Sequence, residues 1–173
     1  LYLHSDASQA MSLLDLSVAR LGVDLLTINA AKVYGPKGIG ALYVARGVKL
    51  SPVTFGGGQE MGLRSGTENV PALIGFATAA KLAKEHLASS RRQYQDFTRQ
   101  FKQIIEQESR VAPLWLGDPK HQLVNFVPVC FKGLDAERLI FKLEDLGVYL
   151  STGAACAASK GQKSHVLSAI GLS

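Results

Sequence analysis

Three observations predict an α/β fold. Short apolar runs of strand length stand near residues 1–5, 23–29 and 40–45; glycine or a helix-like stretch around 12–20 separates them; and a long run with helical apolar spacing follows Pro71. Strands that alternate with helical stretches imply helices laid on a parallel or mixed sheet. With 47% hydrophobic content, the 173 residues suffice to enclose a core of one domain or somewhat more.

The elements follow in order. Residues 46–68 form a glycine-rich connection holding Gly56-Gly57-Gly58 and Arg64-Ser65-Gly66-Thr67, too long for a simple link and therefore expected to be functional. Pro71 suits the first turn of a helix, and Leu73, Ala77, Ala80, Ala83 and Leu87 recur at helical spacing. Helix is expected to about Glu108, with a break allowed for near Ser89-Ser90. After Pro113, Leu123 to Phe131 alternates like a strand, Asp135 to Leu146 reads as an amphipathic helix and Val148 to Ser151 as another strand, which together predict a small α+β lobe. No internal repeat or low-complexity segment is visible.

Composition narrows the function. Nineteen basic against 14 acidic residues give a net charge of +5, but Arg91-Arg92 with Lys81, Lys84 and Glu85 reads as a solvated helix face rather than a nucleic-acid stripe. Cys130 and Cys156 form no CxxC pair and join no His/Cys cluster of zinc spacing, so neither a disulfide framework nor a metal site is expected. No apolar run is long enough to span a bilayer and no signal peptide opens the chain, so a cytoplasmic protein is expected. The chain opens at Leu1-Tyr2-Leu3-His4 as a strand already under way and stops at Gly171-Leu172-Ser173, which reads as an internal piece of a longer protein.

The residues that carry chemistry sit at strand ends. Lys32 follows the apolar run Asp24-Leu25-Leu26-Thr27-Ile28-Asn29 and precedes the tight stretch Tyr34-Gly35-Pro36-Lys37-Gly38. Asp6 and Gln9 stand just past the first strand, where open α/β sheets bind ligands; taken alone they read equally well as turn and cap residues. An acid, an amide and a lysine converging there would suit pyridoxal phosphate. Thr67, flanked by glycine and close to Arg64, offers a hydroxyl and backbone donors to a phosphate, whereas Gly35 to Gly40 lacks the spacing of a nucleotide loop. Cys156 lies in the small-residue run Gly153-Ala154-Ala155-Cys156-Ala157-Ala158, which exposes a thiol, while Cys130 lies in an apolar strand and reads as an inert core residue. His86, His121 and His165 have no companion pattern, and His4 is placed to pack near Asp6.

In order along the chain, His4-x-Asp6-Ala7-x-Gln9, Lys32-Val33-Tyr34-Gly35-Pro36-Lys37-Gly38, Arg64-Ser65-Gly66-Thr67-Glu68-Asn69 and Gly153-Ala154-Ala155-Cys156 resemble the motifs of the cysteine desulfurases, a branch of the class-V aminotransferases. The spacing from Cys156 to Ser164 resembles the class with the longer mobile cysteine loop. The resemblance implies a fold type I pyridoxal-phosphate enzyme. Residues 1–88 would then be the later half of the cofactor domain with the start of the interdomain helix, and 89–173 a small domain carrying the cysteine loop. Lys32 would hold the cofactor, Asp6 would pair with its pyridine nitrogen, Gln9 would contact its ring oxygen, and Thr67 would reach the cofactor phosphate of the neighbouring subunit of a homodimer. Cys156 would take sulfur from L-cysteine as a persulfide, leaving alanine, and pass it to an acceptor or scaffold protein for iron–sulfur cluster assembly or tRNA thiolation. In that role the Cys156 persulfide would ligate a cluster only transiently, and no resident metal is implied.

Two departures from the family pattern stand out. The usual Ser-Gly-His before the lysine is Asn29-Ala30-Ala31 here; Asn29 still donates hydrogen bonds, but Ala31 cannot replace an imidazole. The family's ring-stacking histidine and its carboxylate-binding arginine belong to regions beyond this sequence, so the piece alone is expected to be inactive. Two other readings use the same residues: a relative acting on selenocysteine or cysteine sulfinate, and a non-catalytic accessory that binds a sulfur-acceptor scaffold.

Overall fold

The computed structural model describes residues 1–152 and 165–172. The chain divides into two compact units, Leu1–Gln107 with Leu116–Pro128, and Glu108–Trp115 with Val129–Ser173. The α/β class is as expected.

In the first unit, β1 (His4–Asp6), β2 (Leu25–Asn29) and β3 (Gly40–Val44) form a mixed sheet in that order. β1 runs parallel to β2 with Asp6 opposite Thr27, and β3 runs antiparallel with Gly40 opposite Asn29. The helix expected around 12–20 shrinks to one turn, α1 (Val18–Leu21). Its short polar residues bond locally instead: Asp15 Oδ1 accepts the Ser17 N–H at 3.0 Å, which favours a turn over a helix. Gly22, at φ 64°, then ends α1 by returning its N–H to Val18.

The core gathers where β2 leaves the sheet. A 3-10 turn, Ala30–Val33, follows directly, and its buried Ala30 and Val33 pack with Phe76 and Ala79 of α2 (Val70–Glu108). Met11, Ile28 and Ile39 close the cluster from the side. Gly40 is needed beside it, because a Cβ there would stand 2.7 Å from the carbonyl oxygen of Ile28. α2 is 39 residues long and unbroken through Ser89-Ser90. The Ser89 hydroxyl donates to the carbonyl of His86 at 2.9 Å, within the preceding turn, so the serines are accommodated without ending the helix. The 88/89 position lies inside α2, in the first unit.

The second unit contains β4 (Pro113–Trp115) paired antiparallel with β5 (Val129–Phe131), then α3 (Ala136–Glu144) and α4 (His165–Ala169). β4 carries no alternation long enough to betray it in the sequence. The strand expected over 123–131 is confined to β5, since residues 116–128 belong to the first unit, where the Thr98 hydroxyl donates to the Val124 carbonyl at 2.7 Å. The strand expected over 148–151 does not form. Val148 N–H instead bonds the Leu143 carbonyl at 2.8 Å and Gly147 N–H bonds Glu144 at 2.9 Å, capping α3.

Asp135 caps the other end of α3, its Oδ1 accepting the N–H groups of Glu137 at 3.0 Å and Arg138 at 3.1 Å. Removing that acceptor in Asp135→Ala is expected to weaken α3 by about 1 kcal/mol. Hydrogen exchange of the Glu137 and Arg138 amides will then speed by roughly fivefold, while Asp135→Asn keeps its protection. Unchanged exchange in the alanine variant would show that the cap is idle.

Candidate active site at the carboxyl ends of two strands

Asp6 ends β1, and the ladder continues one residue further, with Ala7 N–H donating to the Thr27 carbonyl at 2.8 Å. The chain then turns on Asp6 itself, whose Oδ1 accepts the Ser8 N–H at 2.9 Å. Bonds from the Ser8 hydroxyl and then the Ser8 N–H hold the Asp6 carboxyl below the usual carboxylate range; slight burial opposes them, and the nearby His4 imidazole adds the smallest pull. The period of two along a strand puts His4 on the face of β1 that carries Asp6. His4 Nε2 lies 2.9 Å from the Thr27 hydroxyl, so the imidazole is tied to β2. Asp6 itself is solvent-exposed.

Lys32 is set by the geometry of the 3-10 turn. Side chains three apart coincide in such a turn, so burying Ala30 and Val33 leaves Ala31 and Lys32 outside, and both are exposed. Asn29 Oδ1 accepts the Ala31 N–H at 2.9 Å, and the turn closes when Tyr34, at φ 63°, bonds back to Ala30. Among the described residues Lys32 makes no ion pair, and the amide protons of Asn29 have no acceptor. An ionised acid, an amine and an amide donor thus share one end of the sheet. That donor set fits pyridoxal phosphate, which asks for an amine at its carbonyl, a carboxylate at its pyridinium nitrogen and donors at its oxygens.

Gln9 is exposed in the turn after Ala7. Thr67 is exposed on the separate 46–68 loop, and no hydrogen bond among the described residues joins it to Asp6 or Lys32. The loop is fastened internally: buried Ser65 donates its hydroxyl to the Gly57 carbonyl at 2.8 Å, and Gly66 N–H reaches Gln59 Oε1 at 3.2 Å. Cys156 lies outside the described residues. The sequence reading passed over Ser8, Thr27, Gln59 and Ser65; the Asp-x-Ser spacing of an Asx turn was the available signal for Ser8.

Because the Asp6 shift is downward, its stabilising bonds are fully present above the ordinary carboxylate pKa and are lost as acid brings the pH down through the folded value. Ser8→Ala removes the largest cause. The Asp6 pKa, followed by the NMR shift of its carboxyl carbon, is expected to rise toward the ordinary value while the Ser8 N–H holds part of the depression. An unaltered titration would mean that the hydroxyl does not set this charge.

The chain is 42% identical over 174 residues to the cysteine desulfurase IscS 1 of Archaeoglobus fulgidus, covering 98% of this chain and 44% of that protein. It is 40% identical to the cysteine desulfurase IscS of Dictyoglomus turgidum, covering 98% and 43%. It therefore spans less than half the length of these curated relatives. Among solved structures, a NifS-like protein from Rickettsia africae superposes with a TM-score of 0.85 at 25% identity over 98% of this chain and 44% of the other. SspA, solved in complex with cysteine, superposes with a TM-score of 0.72 at 35% identity over 100% and 47%. The model of the aminotransferase class-V family matches residues 1–171, and by that match over nearly its whole length the chain belongs to the class-V aminotransferases.

Proposed function

We propose that this chain is the lysine- and cysteine-bearing part of a pyridoxal-phosphate-dependent cysteine desulfurase. The observation that carries the reading is the juxtaposition at one end of the sheet of ionised Asp6, Asn29 and a Lys32 that makes no ion pair among the described residues, in a chain about 40% identical to proteins named cysteine desulfurases. Pyridoxal phosphate, when bound, supplies an electron sink for the substrate's carbon skeleton. Lys32 would hold it through Nζ, Asp6 would keep its ring nitrogen protonated, and Gln9 and Asn29 would donate to its oxygens. Lys32 Nζ would also be the group placed to move a proton. The Cys156 thiolate would take the sulfur of L-cysteine as a persulfide, while the substrate's carbon gains a proton and leaves as alanine.

The exposed and internally fastened loop of Thr67, which meets neither Asp6 nor Lys32 in its own subunit, supports a homodimer in which Thr67 serves the neighbour's cofactor phosphate. The exposed Leu42 and Tyr43 of the outer strand β3 support further cover by protein. Among the described residues no helix is long and apolar enough to cross a membrane, which is compatible with a cytoplasmic enzyme that passes sulfur to an acceptor for iron–sulfur cluster assembly or tRNA thiolation.

Two variants of the full-length protein test this reading. Cys156→Ala is expected to abolish alanine formation from cysteine while leaving cofactor binding intact; sulfide release that persists would remove Cys156 as nucleophile and favour a selenocysteine or cysteine sulfinate enzyme. Ala31→His, which adds a donor beside Lys32, is expected to tighten cofactor binding roughly tenfold, the equivalent of one charge-assisted hydrogen bond. A titration showing no tightening would mean that Asn29 and its neighbours already satisfy the phosphate.

A further inference from the structure

We infer that Gly75 of α2 is a positioning residue for Lys32, acting through Pro36; the role of the lysine itself rests on the desulfurase reading above. Gly35 and Pro36, which follow the Lys32 turn, meet Ala79 and Gly75 of α2 in turn, so this stretch runs opposite to the helix. The Tyr34 hydroxyl, the largest cause, raises the pKa of Tyr94 above the ordinary phenol value. A Cβ at Gly35 would meet the Cβ of Ala79 at 3.2 Å, and one at Gly75 would meet Pro36 Cγ at 2.6 Å and Cδ at 3.1 Å. Glycine is a poor residue inside a helix, so its presence six residues into α2 calls for a reason beyond helix formation. The close approach of the proline ring supplies that reason.

The contact reaches Lys32 because nothing between them can yield. Pro36 has a ring that fixes φ and cannot rotate away. A Cβ added at Gly35 would also meet the Ala30 carbonyl oxygen at 3.0 Å and the Ala30 Cβ at 3.1 Å, and the Gly35 N–H is bonded to the Ala30 carbonyl at 2.9 Å. Val33 and Ala30 are 4% and 0% exposed. A methyl group at position 75 therefore displaces Pro36, then Gly35, and through Ala30 the whole turn that aims Lys32. Because α2 begins three residues after Thr67, the same rigid helix that sets the lysine also anchors the loop of Thr67.

The test uses the full-length protein as Gly75→Ala, Pro36→Ala and the double variant, since Pro36→Ala deletes the two ring atoms that the new methyl would strike. Two quantities are read: hydrogen exchange of the peptide spanning 30–36 without cofactor, and the pyridoxal phosphate concentration that half-saturates borohydride trapping on Lys32. Gly75→Ala is expected to raise both by about tenfold, the scale of a small misplacement of a reacting group. The double variant is expected to return both to near the values of Pro36→Ala alone. The inference is overturned if Gly75→Ala leaves both unchanged, if it lowers only the melting temperature, or if Pro36→Ala gives no relief. Should the unaltered protein trap no cofactor on Lys32, the desulfurase reading fails, and the exchange arm alone decides whether Gly75 sets the turn.

Discussion

The packing of Ala30 and Val33 against Phe76 and Ala79 is the interaction on which the rest depends. It joins a single turn of 3-10 helix to a helix of 39 residues, and the alanines Ala30 and Ala79 let the two backbones lie close there. A 3-10 turn is too short to hold its own shape. Burial on one side and capping by Asn29 on the other make it a fixed platform, and Lys32 is exposed because its neighbours at either end are not. Replacing either alanine by a larger side chain would separate turn from helix before it changed any group that touches a ligand.

The polar groups of the site are held by a different device, short hydrogen bonds to the chain a few residues away. Asp6 is bonded by Ser8, Asn29 by Ala31, Gln59 by Gly66 and Ser65 by Gly57. Such bonds close small loops and so cost little chain entropy. For Asp6 and Asn29 their effect is to orient the atoms without fully burying them: the Asp6 carboxylate stays ionised and exposed, and Asn29 keeps its amide protons free of its own oxygen's bond. The arrangement suits a site that must admit a charged, phosphate-bearing ligand, since ions left in water escape the large penalty of desolvation.

Much of this was legible in the sequence, and the parts that were not share a cause. β2 and β3 announced themselves as apolar runs, β1 formed at the end of the run expected near 1–5, and Asp6 and Lys32 lie at or just past the ends of their strands, as expected of them. The lost elements were those whose backbone groups are claimed by something nonadjacent or nonperiodic. Residues 148–151 have the composition of a strand, but capping of α3 takes the Val148 N–H. Residues 123–128 alternate like a strand, but Thr98 takes the Val124 carbonyl. Ser89 and Ser90 look like a break and are not one, because a serine hydroxyl can bond within its own helix as easily as end it. Periodicity reports which side chains are apolar; it does not report which backbone groups are already engaged.

Glycine shows the same limit from the other side. Gly35 and Gly40 stand in a stretch that reads as a loop and Gly75 lies inside α2, yet each is required by a specific atom of another segment: Ala79, the Ile28 carbonyl and the Pro36 ring. None of those partners is near in sequence to the residue it constrains except through the fold. The Gly40 contact lies on the sheet side of the Lys32 turn and the Gly35 and Gly75 contacts on the helix side, and Lys32 itself is exposed. A lysine on such a turn can exchange one bonded partner for another without the backbone following it. The proposed desulfurase reading would ask that freedom of Lys32, and the turn that presents it is fixed by contacts at Gly35, Gly40 and Gly75 that a larger side chain would disturb.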